Sequence, residues 1–334
     1  MRHRLRLLPM AVLLLLLTAV SACVGSYPLS LHQIGQLLTG GLSETMEYRV
    51  FWQLRLPRVV MGLLSGFALG VAGGIYQTIF ANDLASPDLT GVASGASLGA
   101  AAAIVLGAGG SVQIMTGAFA AGLATLAAVL LLARASGMER TGSFILAGLI
   151  VSSLADAGIM MLKYLADPEQ ELAAIEFWTM GSLAAVTAKK LLPQLLTIGV
   201  PLILLLCCGR QALILSLGEE TARSMGLSPR RWRCIFLGLS TLRVAGVVSV
   251  TGVIAFVGLI APHIAFMAHR RRNAGYFWCC GVWGGNIILA ADLLARTCGG
   301  GGEMPLSIFT VLLSVPVLTA LLIRKNGGGH GRYS

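Results

Sequence analysis

The sequence contains few charged residues. Of its 334 residues, 11% are Asp, Glu, Lys or Arg and 56% are hydrophobic, and the mean hydropathy is +0.82. A water-soluble domain of ordinary composition is ~25% charged. So small a share of charge argues against a soluble globular protein and predicts a membrane protein.

Motifs for catalysis and metal binding are also missing. The seven cysteines form no CxxC pair, and most of them lie within apolar runs, which predicts small packing residues rather than metal ligands or disulfides. No GxxxxGK[ST] phosphate-binding loop occurs. We therefore expect no metal, no cofactor and no enzymatic activity in this chain.

Ionisable residues that could couple transport to an ion gradient are scarce. Within the apolar blocks, the candidates are Asp156, Asp292 and Arg243. Asp292 lies four residues before Arg296, so the two can pair on one helical face. An ion-coupled carrier that depends on Asp156 or Asp292 stays open as an alternative, but a separate ATPase is the favoured energy source.

What the sequence has in abundance is long apolar blocks. A bilayer core of ~30 Å requires about 20 apolar residues in each helical span. The block 91–133 is about twice that length and has a natural break at 107–111, so it counts as two spans. The sequence predicts an all-α, polytopic membrane protein of ten spans, at 7–43, 59–80, 91–133 (two), 141–162, 191–209, 234–250, 251–268, 273–295 and 304–323. The division within 234–268 is the least certain, because Arg243 lies inside it.

Glycine is abundant, with 42 residues. Several recur at every fourth position, as Gly62, Gly66, Gly70 and Gly74 do, and this spacing lets helix backbones approach closely in a membrane. It predicts a tightly packed bundle that forms a single domain over residues 1–334.

The net charge of +10 is explained by loops rather than by nucleic-acid binding, because no basic stripe is interleaved with aromatic residues. With both termini in the cytoplasm and ten spans, 16 of the 24 basic residues fall on the cytoplasmic side, as the positive-inside bias requires. Arg55, Arg58 and Arg296 are among the seven that fall outside. The N-terminus also resembles a lipoprotein signal ending at Cys23, but cleavage there would remove a span and spoil the even count.

Several motifs follow one another along the chain. They are RLPR at 55–58, GFALGVAGG at 66–74 followed by Gln77, LASPDLTGVASGA at 84–96, LGEETARSMG at 217–226, GVIAFVGLIAPH at 252–263, ADLLAR at 291–296 and MPL at 304–306. Together they resemble the FecCD-type permeases, the membrane subunits of ABC importers for iron-siderophores, haem and cobalamin. The resemblance covers roughly residues 5 to 325. Ala81, Asp83, Ser307 and Ser314 depart from the family pattern and weaken any transfer of substrate identity.

The resemblance implies a dimer, with a homodimer favoured over a heterodimer and with the pathway at the two-fold interface. It also implies two ABC ATPase subunits, one extracytoplasmic substrate-binding protein and a location in the cytoplasmic (inner) membrane. The expected substrate is an iron chelate, first a ferric siderophore, with haem or cobalamin as alternatives.

Site residues follow from the same resemblance. Arg55, Arg58 and Arg296 are expected to receive acidic residues of the binding protein. A short helix in the cytoplasmic loop 210–233 is expected to seat in the ATPase, with Ala222 and Met225 packed inward and the other residues at the rim; its members are Gly218, Glu219, Glu220, Ala222, Arg223, Met225 and Gly226. Gln77, Ser94 and Ser97 are expected to line the pathway, although packing and interhelical hydrogen bonds explain them equally well.

Overall fold

The computed structural model describes residues 2–25, 27, 29–40, 45–107, 110–136, 141–269, 271–299 and 302–327. All regular secondary structure in these residues is helical. The helices of its first half are α1 (Arg2–Cys23), α2 (Leu31–Leu38), α3 (Met46–Arg49), α4 (Leu56–Ile79), α5 (Val92–Val105), α6 (Ser111–Ala135), α7 (Thr141–Leu165) and α8 (Glu171–Thr179). A π-helical turn, Val50–Arg55, joins α3 to α4, and a 3₁₀ turn, Pro87–Thr90, precedes α5.

The second half continues in the same way. Its helices are α9 (Ala188–Thr197), α10 (Gly199–Cys207), α11 (Gly209–Leu215), α12 (Glu219–Ser224), α13 (Pro229–Thr251), α14 (Val257–His269), α15 (Ala274–Thr297) and α16 (Leu306–Gly327). The all-α prediction is confirmed.

Apolar helices account for all ten predicted spans within the part of the chain that the structure describes. Six stretches are long and apolar enough to cross a membrane, namely Met46–Ile79, Ser111–Ala135, Ser143–Leu165, Ala188–Cys207, Pro229–Thr251 and Gly275–Thr297. Four shorter apolar helices supply the others, at Leu8–Cys23, Val92–Val105, Val257–His269 and Leu306–Ala320. The predicted break at 107–111 falls between α5 and α6.

The first predicted span was too long. The uncharged block 7–43 is not one helix, because α1 ends at Cys23 and a separate short helix, α2, begins after Ser30. Ser30 caps α2 by accepting a hydrogen bond from the backbone N–H of Gln33 at 3.2 Å, and the Gln33 side chain accepts in return from the Ser30 N–H at 2.8 Å. The length of an uncharged block therefore overestimates the length of the span, because such a block can contain a capping residue that starts a new helix.

Helices α4 and α15 pack with their backbones in close approach. A Cβ atom at Gly66 would lie 2.4 Å from the carbonyl oxygen of Gly284, and one at Gly70 would lie 2.1 Å from that of Cys280. Both distances are too short for any side chain, so the glycine spacing on α4 serves the contact that the sequence predicts.

The link between α13 and α14 is not helical. It divides the region 234–268 into two helices, which is the division that the sequence left least certain. Residues 252–256 run as an irregular segment in which Gly252 has a φ of +68°. Ser307 Oγ donates to the carbonyl of Val253 at 2.8 Å, and the Ser182 N–H donates to that of Thr251 at 2.7 Å. Because these bonds satisfy the freed carbonyls inside the protein, an irregular backbone is tolerated there.

Candidate docking and coupling sites

Three arginines meet where α4 begins and α15 ends. Arg55 closes the π-helical turn, Arg58 lies in the first turn of α4, and Arg296 lies in the last turn of α15. With Tyr27 and Glu303, they line a cavity of about 230 Å³. We call this cavity the arginine recess. The sequence predicted these arginines as a group, and the fold brings them together.

Arg58 is bound by two carboxylates of the same chain. Its Nε and Nη2 donate to Asp292 Oδ1 at 3.0 and 2.8 Å, and its Nη1 donates to Glu303 Oε1 at 2.6 Å. Asp292 is 1% exposed, and its other oxygen forms an ion pair with Arg296 at 2.9 Å. The predicted Asp292–Arg296 pair is confirmed, and Arg58 completes a buried network around the same carboxylate.

The other two arginines hold the end of α1. Arg55 donates to the backbone carbonyls of Ala22 at 2.9 Å and Cys23 at 2.5 Å, and also to that of Tyr27. Arg296 donates to the carbonyl of Val24 at 2.8 Å. Since the last carbonyls of a helix have no partner within it and carry partial negative charge, guanidinium groups satisfy and stabilise them. Sequence analysis missed this internal role.

The predicted helix of the 210–233 loop is present as α12. It follows Gly218, whose φ is +103°, and it is followed by Gly226, whose φ is +79°. Both values lie in the region that favours glycine. Two acidic residues, Glu219 and Glu220, occupy the first turn and Arg223 the last, as suits the helix dipole.

One face of α12 is buried and the other is exposed. Ala222 is fully buried, in an apolar cluster that includes Ile79 of α4 and Tyr276 of α15. Glu219 forms ion pairs with Arg233 of α13 and, at 3.6 Å, with Arg223. Met225 is 53% exposed and does not pack inside the chain. The helix is thus fixed on the bundle by Ala222 and Glu219, while Met225 and Arg223 are exposed.

The arginine recess and α12 lie at opposite ends of the bundle. The recess is at the start of α4 and the end of α15, whereas Ala222 shares a buried cluster with Ile79 at the end of α4 and Tyr276 near the start of α15. At 1.5 Å of rise per residue, the length of α4 separates the two sites by about 30 Å.

The predicted pathway residues do not all lie together. Ser94 and Ser97 line a cavity of about 360 Å³ between α5 and α7, with Asp156 and Lys163 on its α7 side. Gln77 lies elsewhere, buried between α4 and α14, where its side-chain amide donates to the carbonyl of Leu259 at 3.1 Å. We call the cavity between α5 and α7 the groove. It combines two hydroxyl-bearing residues with one carboxylate and one amine.

The side of α7 that faces away from this groove is exposed and apolar. Leu154 and Met161 on that side are 73% and 67% exposed. Among the residues that the structure describes, no group of three or more His, Cys, Asp or Glu side chains could hold a metal ion.

Comparisons with known proteins agree with this arrangement. The model of the FecCD transport family matches residues 13–324. The molybdate import system permease protein MolB of Haemophilus influenzae is 35% identical over 328 residues, which are 95% of each chain, and the hemin transport system permease protein HmuU of Yersinia pestis is 34% identical over 330 residues, 96% of each. A solved inward-facing structure of a metal-chelate type ABC transporter superposes with a TM-score of 0.83 at 31% identity, covering 95% of this chain and 98% of that one.

Proposed function

The chain belongs to the FecCD transport family, and from that premise we propose that it is the permease subunit of an ABC importer for an iron chelate. The observation that carries this proposal is α12, a glycine-bounded helix fixed at one end of an apolar bundle with its outer side unoccupied by the chain itself. A permease that has no phosphate-binding loop of its own needs a surface on which an ATPase can act, so that ATP hydrolysis moves the membrane spans.

The proposed assembly contains two copies of this chain, two ATPase subunits and one binding protein. Closure of the ATPases on ATP pushes α12, and the push reaches the spans as a rigid-body motion, because α12 packs on α11 and α13 and Glu219 pairs with Arg233 of α13. This chain performs no chemical reaction, since ATP is hydrolysed in the partner.

We place the protein in the cytoplasmic membrane with α12 and both termini in the cytoplasm. The basic residues support this orientation. Arg223 lies in α12, and the basic residues that flank it along the chain are Arg210, Arg230, Arg231 and Arg233, as expected for a cytoplasmic loop. The arginine recess then faces outward.

We propose that the binding protein docks at the arginine recess. Its three arginines exceed the two carboxylates that they contact, Asp292 and Glu303, so the recess keeps a positive charge. An acidic residue of the binding protein would meet Arg58 or Arg296 beside Glu303, the more exposed of those two carboxylates, because its side chain is 34% exposed and that of Asp292 is 1%. Such contacts would mainly set orientation and association rate.

The pathway is proposed to run along the groove between α5 and α7, where Ser94 and Ser97 lie across from Ile159 and Met160 of α7. A second copy of this chain that packs over the groove would close it into a channel. The wall of the groove mixes apolar residues with hydroxyl groups and two opposite charges, Asp156 and Lys163, and its described residues include no cluster of metal ligands that would hold a chelate.

A ferric siderophore is the first substrate that we propose, with haem or cobalamin next. The similarity to a molybdate permease supports a second candidate class, a small oxyanion, at 35% identity over nearly the whole chain. The binding protein selects among these ligands, so the permease motifs alone do not separate them.

Reconstituted transport tests the proposal. Vesicles that contain this chain, its ATPase and its binding protein should take up labelled ferric siderophore when supplied with ATP, and not with ADP or with an ATPase variant that binds ATP without hydrolysing it. Haem, cobalamin and molybdate are measured in parallel. If one of these compounds is taken up instead, the assignment as an ABC importer permease holds, and the proposed substrate changes from a siderophore to that compound.

The ion-coupled alternative gives the opposite result. Uptake that follows an ion gradient without ATP, and that is lost in Asp156→Asn, would contradict an ABC importer. Asp156 suits this test because it is exposed in the groove, so its replacement should leave the fold intact.

A further inference from the structure

A third cavity, of about 390 Å³, lies beside α12. It is enclosed by the end of α6, the start of α7, α12 and the start of α13. Its lining residues are Leu130, Leu131, Ala133, Arg134, Phe144, Glu219, Arg223, Pro229, Arg230, Arg233 and Cys234. We call it the basic cavity, and none of the roles described above uses it.

One part of the basic cavity is strongly positive. Among the lining residues that the structure describes, there are four arginines and one carboxylate, that of Glu219, which forms ion pairs with Arg233 and Arg223. Within that described lining, positive charges outnumber negative ones by three. Four guanidinium groups around one space favour an anion with several oxygen atoms, and phosphate fits them best because it accepts paired N–H donors.

The other part of the cavity is apolar. Leu130, Leu131 and Ala133 come from the last turns of α6, an apolar helix long enough to span a membrane, and Leu131 is 67% exposed. Arg134 lies in the last turn of the same helix. The cavity thus changes from apolar to basic where a spanning helix ends, which is the level of lipid headgroups.

We propose that the basic cavity binds an anionic phospholipid, with its phosphate among Arg134, Arg223, Arg230 and Arg233 and an acyl chain along Leu130 and Leu131. A free phosphate or a nucleotide would leave the apolar part of the cavity unused, whereas a phospholipid matches both parts. Only the assignment of this end to the cytoplasmic leaflet rests on the proposed function. Since Arg223 belongs to α12, the bound lipid would connect the coupling helix to the bilayer.

Lipid binding by the purified chain in a neutral detergent tests this directly. Native mass spectrometry with phosphatidylglycerol and phosphatidylcholine should show a preference for phosphatidylglycerol. Each basic contact that is removed should weaken the binding of phosphatidylglycerol roughly fivefold. The single variant Arg134→Gln should therefore bind it about fivefold more weakly, and the double variant Arg134→Gln with Arg230→Gln about thirtyfold more weakly. Arg231→Gln is the matched control, because Arg231 is exposed on the same helix as Arg230 and does not line the cavity. Equal binding of phosphatidylglycerol by the control and the double variant would overturn the proposal.

Two further measurements separate a lipid from a free anion. Phosphatidylglycerol should raise the melting temperature of the chain, millimolar inorganic phosphate should not, and Leu131→Gln should reduce the lipid effect. Equal stabilisation by phosphate alone would overturn the lipid assignment. These assays contain no ATPase, binding protein or transport, so their failure leaves the proposed function intact, and a failure of ATP-dependent uptake leaves the lipid site intact.

Discussion

The two ends of the bundle use arginine in different ways. In the arginine recess, Arg55 and Arg58 are 6% and 9% exposed, and their donors are taken by carboxylates and helix carbonyls of the same chain. Around α12, the side chain of Arg223 is 62% exposed, and Arg134, Arg230 and Arg231 are exposed too. The arginines named here are thus held mainly by groups of their own chain at one end and exposed at the other.

The difference has an energetic consequence. A buried charge whose partner is removed loses its compensation, which costs several kcal/mol, whereas an exposed charge remains solvated and its ion pair contributes about 0–1 kcal/mol. The same change, removal of one charge, should therefore have graded effects along the bundle. The following variants test that gradient.

Asp292→Ala should have the largest effect. Asp292 is the carboxylate shared by Arg58 and Arg296, and it is buried between α4 and α15. Without it, two guanidinium groups lose an acceptor in a place that water reaches poorly. We expect the free energy of unfolding to fall by about 3–5 kcal/mol, measured by denaturant unfolding in detergent.

Asp156→Ala is the control for that variant. It removes the same group from an exposed position on α7, so stability should change by no more than about 0.5 kcal/mol. If the two variants were equally stable, the ion network in the recess would not be a structural element.

Glu303→Gln should have an intermediate effect. Glu303 accepts a hydrogen bond from Arg58 at 2.6 Å, but its side chain is 34% exposed and Asp292 remains to compensate Arg58. We expect a loss of about 1 kcal/mol in the free energy of unfolding.

The same variant sharpens the docking proposal. With one negative charge removed, the recess becomes more positive, so the acidic surface of the binding protein should bind more tightly, chiefly through a faster association rate. Surface plasmon resonance on the reconstituted permease measures this. Damage to the fold would weaken binding, so tighter binding has no trivial explanation, and an unchanged association rate would place the docking surface elsewhere.

Sequence reasoning was most successful where the signal is local. The spans follow from uncharged blocks, the Asp292–Arg296 pair from spacing on one helix, and α12 from its glycine boundaries and the charges at its ends. In each case the residues that decide the structure lie within a few turns of one another.

The parts that the sequence could not predict depend on distant residues. Arg58 meets Asp292 across a separation of 234 positions, and Arg55 meets the end of α1. No periodicity marks such contacts, since both arginines look like ordinary loop residues in the sequence. For Gln77 the sequence left a pathway role and an interhelical hydrogen bond equally open, and its side chain donates to the carbonyl of Leu259 on α14.

Arg223→Gln should have the smallest effect on stability and a clear effect on assembly. Its ion pair with Glu219 is long, at 3.6 Å, and exposed, while Glu219 keeps its contact with Arg233. We expect the free energy of unfolding to change by less than about 0.5 kcal/mol, with weaker retention of the ATPase during purification of the complex. Arg231→Gln, an equally simple loss of an exposed charge on α13, should retain the ATPase fully. If Arg223→Gln destabilised the chain as Asp292→Ala does, the contrast between the two ends would be wrong. If it left both stability and ATPase retention unchanged, Arg223 would have no part in coupling, and the contact would rest on Met225 and Glu220 alone.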